Sequence, residues 1–170
     1  MDHFARLGLP AALDLEPASL DRAYFALQRQ WHPDRFVNKP PAERAKASVE
    51  AAALNDAYRT LKDPIDRAVY LAELKGVELP GDGKTIDDPE LLMEAMEARE
   101  ELHEAGTTVA VDALAAKARD DMNASLGRLG GLFLADDKPA IRKALLRLRY
   151  LDKFAEEARA RRTNLQRVKA

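Results

Sequence analysis

The chain has 170 residues, 46% hydrophobic, 33% charged and only 6% aromatic, with a net charge of −2, which is enough chain to bury a core as one domain or two small ones. Few glycines and abundant alanine favour an amphipathic helical protein with almost no strand, and the near-neutral balance gives no basic footprint for nonspecific nucleic-acid binding. Cysteine is absent, which excludes a disulfide framework, a thiolate nucleophile and any cysteine-held metal or iron–sulfur cluster.

In chain order, Asp2 to Leu7 reads as a short helix ended by Gly8, with Pro10 beyond it. Nothing in Met1-Asp2-His3-Phe4 resembles a signal or transit peptide and no apolar run has spanning length, so a soluble cytoplasmic protein is expected. The next helix opens with Pro17 at its first position. Leu20, Tyr24, Leu27 and Trp31 then recur at helical spacing on one face, while Arg22 and Arg29 stack on the opposite, basic face. Pro33 stops this helix and biases His32 away from the α region. Asp34 can bond nearby backbone amides as it starts the next turn, so an imidazole, an aromatic ring and a carboxylate are held together at a helix end.

A polar loop from Val37 to Pro41 leads to a second periodic run, in which Ala47, Ala51, Leu54, Tyr58 and Leu61 share a face. Two apolar faces joined by a short loop make a helical hairpin. Asp63-Pro64 starts a further helix that Gly76 ends, which closes a first domain over 1–76. Residues 77–87 contain Pro80-Gly81-Asp82-Gly83, turn formers without periodicity, and read as a linker.

Asp88-Pro89 opens another helix, with Leu91, Ala95, Ala98 and Leu102 as its core stripe. Leu92, Met93 and Met96 fall outside that arc. From Val109 to Leu134, Val111, Ala115, Ala118, Met122 and Leu129 trace a helix whose end Gly127, Gly130 and Gly131 are expected to weaken. Asp137 can cap the last helix, which carries Ile141, Ala144, Leu145, Leu148, Leu151 and Ala155 on one side. Leu146, Tyr150 and Phe154 repeat at four-residue steps off that side. Three helices with short connections predict an antiparallel three-helix bundle over 88–170. Acidic residues crowd 78–104 and basic ones the last helix, which points to mutual attraction within the bundle.

Exposing a Leu or Met side chain forgoes about 1.5–3 kcal/mol of burial, so apolar residues left outside the core stripes point to a partner surface. Leu92, Met93, Met96 and Tyr150 are its centre, with Glu97, Arg99, Glu100 and His103 as a polar rim. The plainer alternative is a wide apolar arc that contacts both other helices, or the first domain, and Phe154 fits ordinary core best. Other chemistry is thin. Gly81-Asp82-Gly83-Lys84 lacks the spacing of a phosphate-binding loop, His103-Glu104 has no second histidine one turn on, and three scattered histidines make no metal site. His32 and Asp34 flank a proline with no nucleophile nearby, so an enzyme is not expected.

His32-Pro33-Asp34, preceded by Trp31, followed by Arg35 and trailed by a helix ending in Leu54-Asn55-Asp56-Ala57-Tyr58-Arg59-Thr60-Leu61, resembles the J domain of co-chaperones that stimulate DnaK-type chaperones. Leu7-Gly8-Leu9-Pro10, Leu27-Gln28-Arg29-Gln30-Trp31 and Arg35-Phe36 narrow the likeness to the HscB family of iron–sulfur cluster assembly. In the C-terminal half, Leu91-Leu92-Met93-Glu94, Arg99-Glu100-Glu101-Leu102 and Leu148-Arg149-Tyr150-Leu151-Asp152-Lys153 are similar to that family's bundle. Arg35 stands where J domains more generally carry lysine, and the absence of a cysteine-bearing extension favours the bacterial form.

The resemblance implies an all-α protein, an N-terminal J domain followed by a C-terminal three-helix bundle, that works without a cofactor as activator of a chaperone ATPase. His32, Pro33 and Asp34 would contact the DnaK-type chaperone HscA, supported by Arg22, Arg29 and Arg35. Leu92, Met93, Met96, Glu97, Arg99, Glu100 and Tyr150 would bind the iron–sulfur scaffold protein IscU. The alternative is a J-type co-chaperone with a different client.

Overall fold

The computed structural model describes residues 1–81 and 83–169, and among them there is helix and turn but no strand. Seven α-helices follow in order: α1 His3–Arg6, α2 Pro17–Trp31, α3 Pro41–Lys62, α4 Pro64–Leu74, α5 Pro89–Glu104, α6 Thr108–Leu134 and α7 Lys138–Val168, with a 3₁₀ turn at Pro33–Phe36. They form two compact units, Met1–Leu74 and Lys75–Ala170.

Local chemistry sets the helix starts. Asp2, Asp88 and Asp137 each accept a backbone N–H from the third residue on, and Asp63 accepts two, from Ile65 and Asp66. Prolines occupy the first turns of α2, α3, α5 and α7, where a missing N–H costs nothing. Gly76, with φ of +83°, takes the left-handed conformation beyond α4 that a Cβ would penalise.

In the first unit α2 and α3 pack as a hairpin, with α1, α4 and the 3₁₀ turn laid against α3. Phe4, Leu7, Leu20, Leu54, Leu61 and Leu71 are the buried centre. The stripe on α2 is less apolar than its period implies. Tyr24, Leu27 and Trp31 are only half-buried, because the contact with α3 at this level is made by rings that carry hydroxyls. Tyr24 and Tyr58 stack at 4.1 Å, Tyr24 donates to Asn55 Oδ1 at 2.6 Å, and Tyr58 donates to Asp21 Oδ1 at 2.7 Å.

In the second unit α7 is the central helix, with α6 on one flank and α5 on the other. Ion pairs fix the register of α5 along α7. Arg142 takes Asp87, Lys143 takes Glu90, Arg147 takes Glu94 and Arg99 takes Glu157, so residue numbers climb together and the two helices run parallel. Arg162 pairs with Asp112, which places the start of α6 beside the end of α7, antiparallel. The segment read as a linker is fastened to α7 as well: Arg142 donates to the Glu78 carbonyl at 2.9 Å and Arg149 to the Pro80 carbonyl at 2.6 Å.

One expectation holds here and one changes. α6, Thr108–Leu134, matches the expected 109–134 and runs unbroken through Gly127, Gly130 and Gly131. The roughly 1 kcal/mol each glycine costs is offset by tertiary burial of Val111, Ala118 and Leu129 against the bundle. Leu146 is not surplus but buried core, and Phe154 is core, as the plainer alternative has it. A helix gripped on two sides buries a wider arc than one stripe, and α7 buries Ile141, Leu145, Leu146, Leu148, Leu151 and Phe154 at once.

Candidate functional site

At the end of α2 the backbone leaves the helix at His32, with ψ of 130°. The Asp34 amide donates to His32 Nδ1 at 3.2 Å, and the Arg35 amide to the His32 carbonyl at 3.0 Å. Because Nδ1 accepts an amide, the ring proton of the neutral imidazole lies on Nε2. The 3.6 Å approach of Nδ1 to Asp34 Oδ2 is then a contact and not an ion pair. The His32 and Asp34 side chains are 49% and 87% exposed, which leaves a donor and a carboxylate free to meet another molecule.

Three ties hold this corner still. Trp31 stacks on Phe36, ring planes 4° apart and centroids at 6.0 Å. Lys46 from α3 sits over the Trp31 ring at 5.7 Å. Arg35 donates to the Arg29 carbonyl at 3.1 Å, where the unpaired carbonyls of the last helical turn collect negative partial charge. Arg35 is therefore partly a helix clasp as well as an exposed cation. Arg22 and Arg29 are exposed on the outer face of α2, Arg22 held by Ser19 Oγ at 3.1 Å.

On α5 the expected set splits. Met93 and Met96 are 63% and 62% exposed, one turn apart, with Glu97 and Glu100 exposed beside them. Leu92 is half-buried. Arg99 is exposed but engaged, donating through Nε and Nη2 to the two carboxylate oxygens of Glu157 at 3.3 and 3.2 Å. His103 is exposed, and its carbonyl is capped by Arg161.

Tyr150 is half-buried and turned inward. Its hydroxyl donates to Glu94 Oε2 at 2.9 Å, on a carboxylate that also takes Arg147 at 2.9 and 3.2 Å. Burial, helped by that hydrogen bond, pushes the phenol up to about 12. Arg147 holds the Glu94 carboxyl below its usual range and is itself raised in return. The Tyr150 ring lines a groove of about 250 Å³ among α5, α6 and α7. Glu97 lies on the same groove, with Glu101, Asp121 and Lys117 around its mouth and Leu114 and Phe154 in its floor. The groove escaped sequence reading because Leu114 and Lys117 come from α6, which offers no local sign of facing α5. Among the described residues no cluster of His, Asp or Glu is arranged to hold a metal ion, and no helix is long and apolar enough to cross a membrane.

A His-Pro-Asp corner on a helical hairpin, followed by a separate helical bundle, defines a J-type co-chaperone. Family models divide the chain in the same way: the DnaJ domain matches residues 2–70 and the HscB C-terminal oligomerisation domain matches 87–159. The chain is 40% identical over 167 residues to the co-chaperone protein HscB homolog of Burkholderia multivorans, covering 96% of this chain and 95% of that one. Chaperone HscB from Vibrio cholerae superposes with a TM-score of 0.83 at 33% identity, covering 97% of this chain and 99% of its own. Human co-chaperone protein HscB superposes with a TM-score of 0.86 at 28% identity, covering 94% and 81%. The chain belongs to the HscB family of co-chaperones.

Proposed function

We propose that this protein is a two-handed adaptor of iron–sulfur cluster biogenesis. It binds the scaffold protein IscU through α5 and its surroundings, delivers it to the DnaK-type chaperone HscA, and stimulates ATP hydrolysis there through the His32 corner. His32, Pro33 and Asp34 make the triggering contacts, with Arg22, Arg29 and Arg35 supplying charge-assisted hydrogen bonds and steering toward a carboxylate-bearing surface. Met93 and Met96 seat the scaffold, Leu92 and the Tyr150 ring extend that apolar surface, and Glu97, Arg99 and Glu100 form its rim. The chain performs no chemistry of its own. Holding both partners raises the effective concentration of scaffold at the chaperone.

The observation that carries the reading is the exposure of side chains that the fold leaves open to solvent: His32 and Asp34 at one corner, Met93 and Met96 on one helix. The test is a chaperone ATPase assay. His32→Gln should abolish stimulation of HscA while scaffold binding and the melting temperature stay as they were; retained stimulation rules the reading out. Stimulation without any binding of IscU would instead favour a J-type co-chaperone with a different client.

A further inference from the structure

The outer face of α2 carries more than arginine. Phe25 lies one turn after Arg22 and one turn before Arg29, and at 100° per residue the three fall within about 60° of one another. Phe25 is 50% exposed. Half of the phenyl ring stands in water between two cations, apolar surface that the fold leaves uncovered.

The ring is nevertheless held. Phe25 leans on Tyr24 with centroids 5.3 Å apart and planes at 56°. Tyr24 is in turn fixed by its stack on Tyr58 and its hydrogen bond to Asn55. The nearest carboxylate in sequence, Asp21, is turned away to the Tyr58 hydroxyl. Glu16 lies 3.9 Å from Arg22 at the start of the helix, and beyond that exposed pair the face reads Phe25, Ala26 and Arg29 before reaching His32: no further carboxylate, and a preorganised ring at its centre. Such a surface matches a partner that is acidic and offers one apolar recess, because buried aromatic anchors ringed by charge pairs dominate interface energies.

We propose that Phe25 is the apolar anchor by which α2 seats on the DnaK-type chaperone, which by complementarity would present an apolar recess rimmed by carboxylates, the flanking arginines setting orientation and the ring supplying the contact that salt does not screen. The inference rests on the proposed function, since it takes the basic face leading to His32 as the chaperone-facing one. Phe25 determines how tightly that face binds, and His32 determines what binding does.

The experiment titrates the full chain against the chaperone and reads ATPase stimulation. Phe25→Ala and Phe25→Gln should each raise the half-maximal concentration about tenfold, equivalent to about 1.4 kcal/mol, with the plateau unchanged and Phe25→Tyr close to the parent. The loss should persist at high salt, whereas that of Arg22→Ala should shrink. Unchanged melting temperature and scaffold affinity show that each variant is folded. Curves for Phe25→Ala and Phe25→Gln that overlie the parent, with His32→Gln inactive, overturn the anchor and leave the proposed function standing. Full stimulation by His32→Gln overturns both. A parent that self-associates in sedimentation and a Phe25→Ala that does not would assign the ring to a second copy and overturn the anchor as well.

Discussion

Replacing Met93 and Met96 together with alanine separates docking from folding. Full burial of a methionine is worth about 1.5–3 kcal/mol. With 63% and 62% of the two residues in solvent, about 1–2 kcal/mol from each is still to be gained when a partner covers them. The pair thus holds about 2–4 kcal/mol of docking energy, and its loss should weaken the complex with the scaffold by roughly thirtyfold to 700-fold. Folding loses only the buried remainder, partly returned because alanine is the better helix former. Calorimetric titration of the scaffold into the double variant reads the first quantity, and thermal melting by circular dichroism reads the second. A dissociation constant within a factor of two of the parent, in a folded variant, would mean that these methionines are merely solvated. Basal stimulation of the chaperone should be untouched; a parallel loss of it would refute the division of labour between corner and bundle.

Two further outcomes follow from the bundle. Glu94 has a folded pKa held below its usual 4.5, first by Arg147 and then by Tyr150, so its contribution is present above about pH 4.5 and is lost as pH falls through the depressed value. Arg147→Met should therefore lower the melting temperature at neutral pH by the equivalent of about 1 kcal/mol, discounted for partial exposure, and the gap to the parent should close on acidification. A gap independent of pH would show that the loss is packing alone. Leu145 is fully buried where α7 is gripped, so Leu145→Ala should cost about 2–5 kcal/mol in chemical denaturation.

What was legible beforehand is short-range chemistry. Aspartates and prolines at helix starts announce themselves, because a cap needs only the next three residues; Asp63-Pro64 and Asp88-Pro89 are read correctly for that reason. The His32 corner is legible as a motif, but its stay is not: Lys46 comes from a different helix and carries no sign of reaching Trp31. The glycines of α6 lower its local propensity without ending it, because helix propensity is local whereas the burial of Leu129 depends on tertiary packing. Leu146 misleads because the width of a buried arc depends on how many helices surround it, whereas Phe154 fits the wider arc from the start. Charge segregation between α5 and α7 shows attraction but not register, which depends on the coordinates of both helices.

That register is what makes α5 a surface and not simply a helix. Glu90 and Glu94, one turn apart, are pinned to Lys143 and Arg147, which removes the freedom of α5 to roll about its own axis. With Glu94 as reference and 100° per residue, the buried Leu91, Ala95 and Leu102 lie about 60–100° to one side. Met93 and Met96 lie about 100–160° to the other, with Glu97 and Glu100 on the same flank. The apolar stripe alone would allow α5 to rotate by some tens of degrees toward burying Met96. The ion pairs oppose that rotation at both edges of the stripe, Glu90 and Glu94 at one and Arg99, about 140° round and paired with Glu157, at the other. A methionine pair held outward in this way would meet a partner already ordered, so that less of its contact energy would be lost to fixing the helix at the moment of binding.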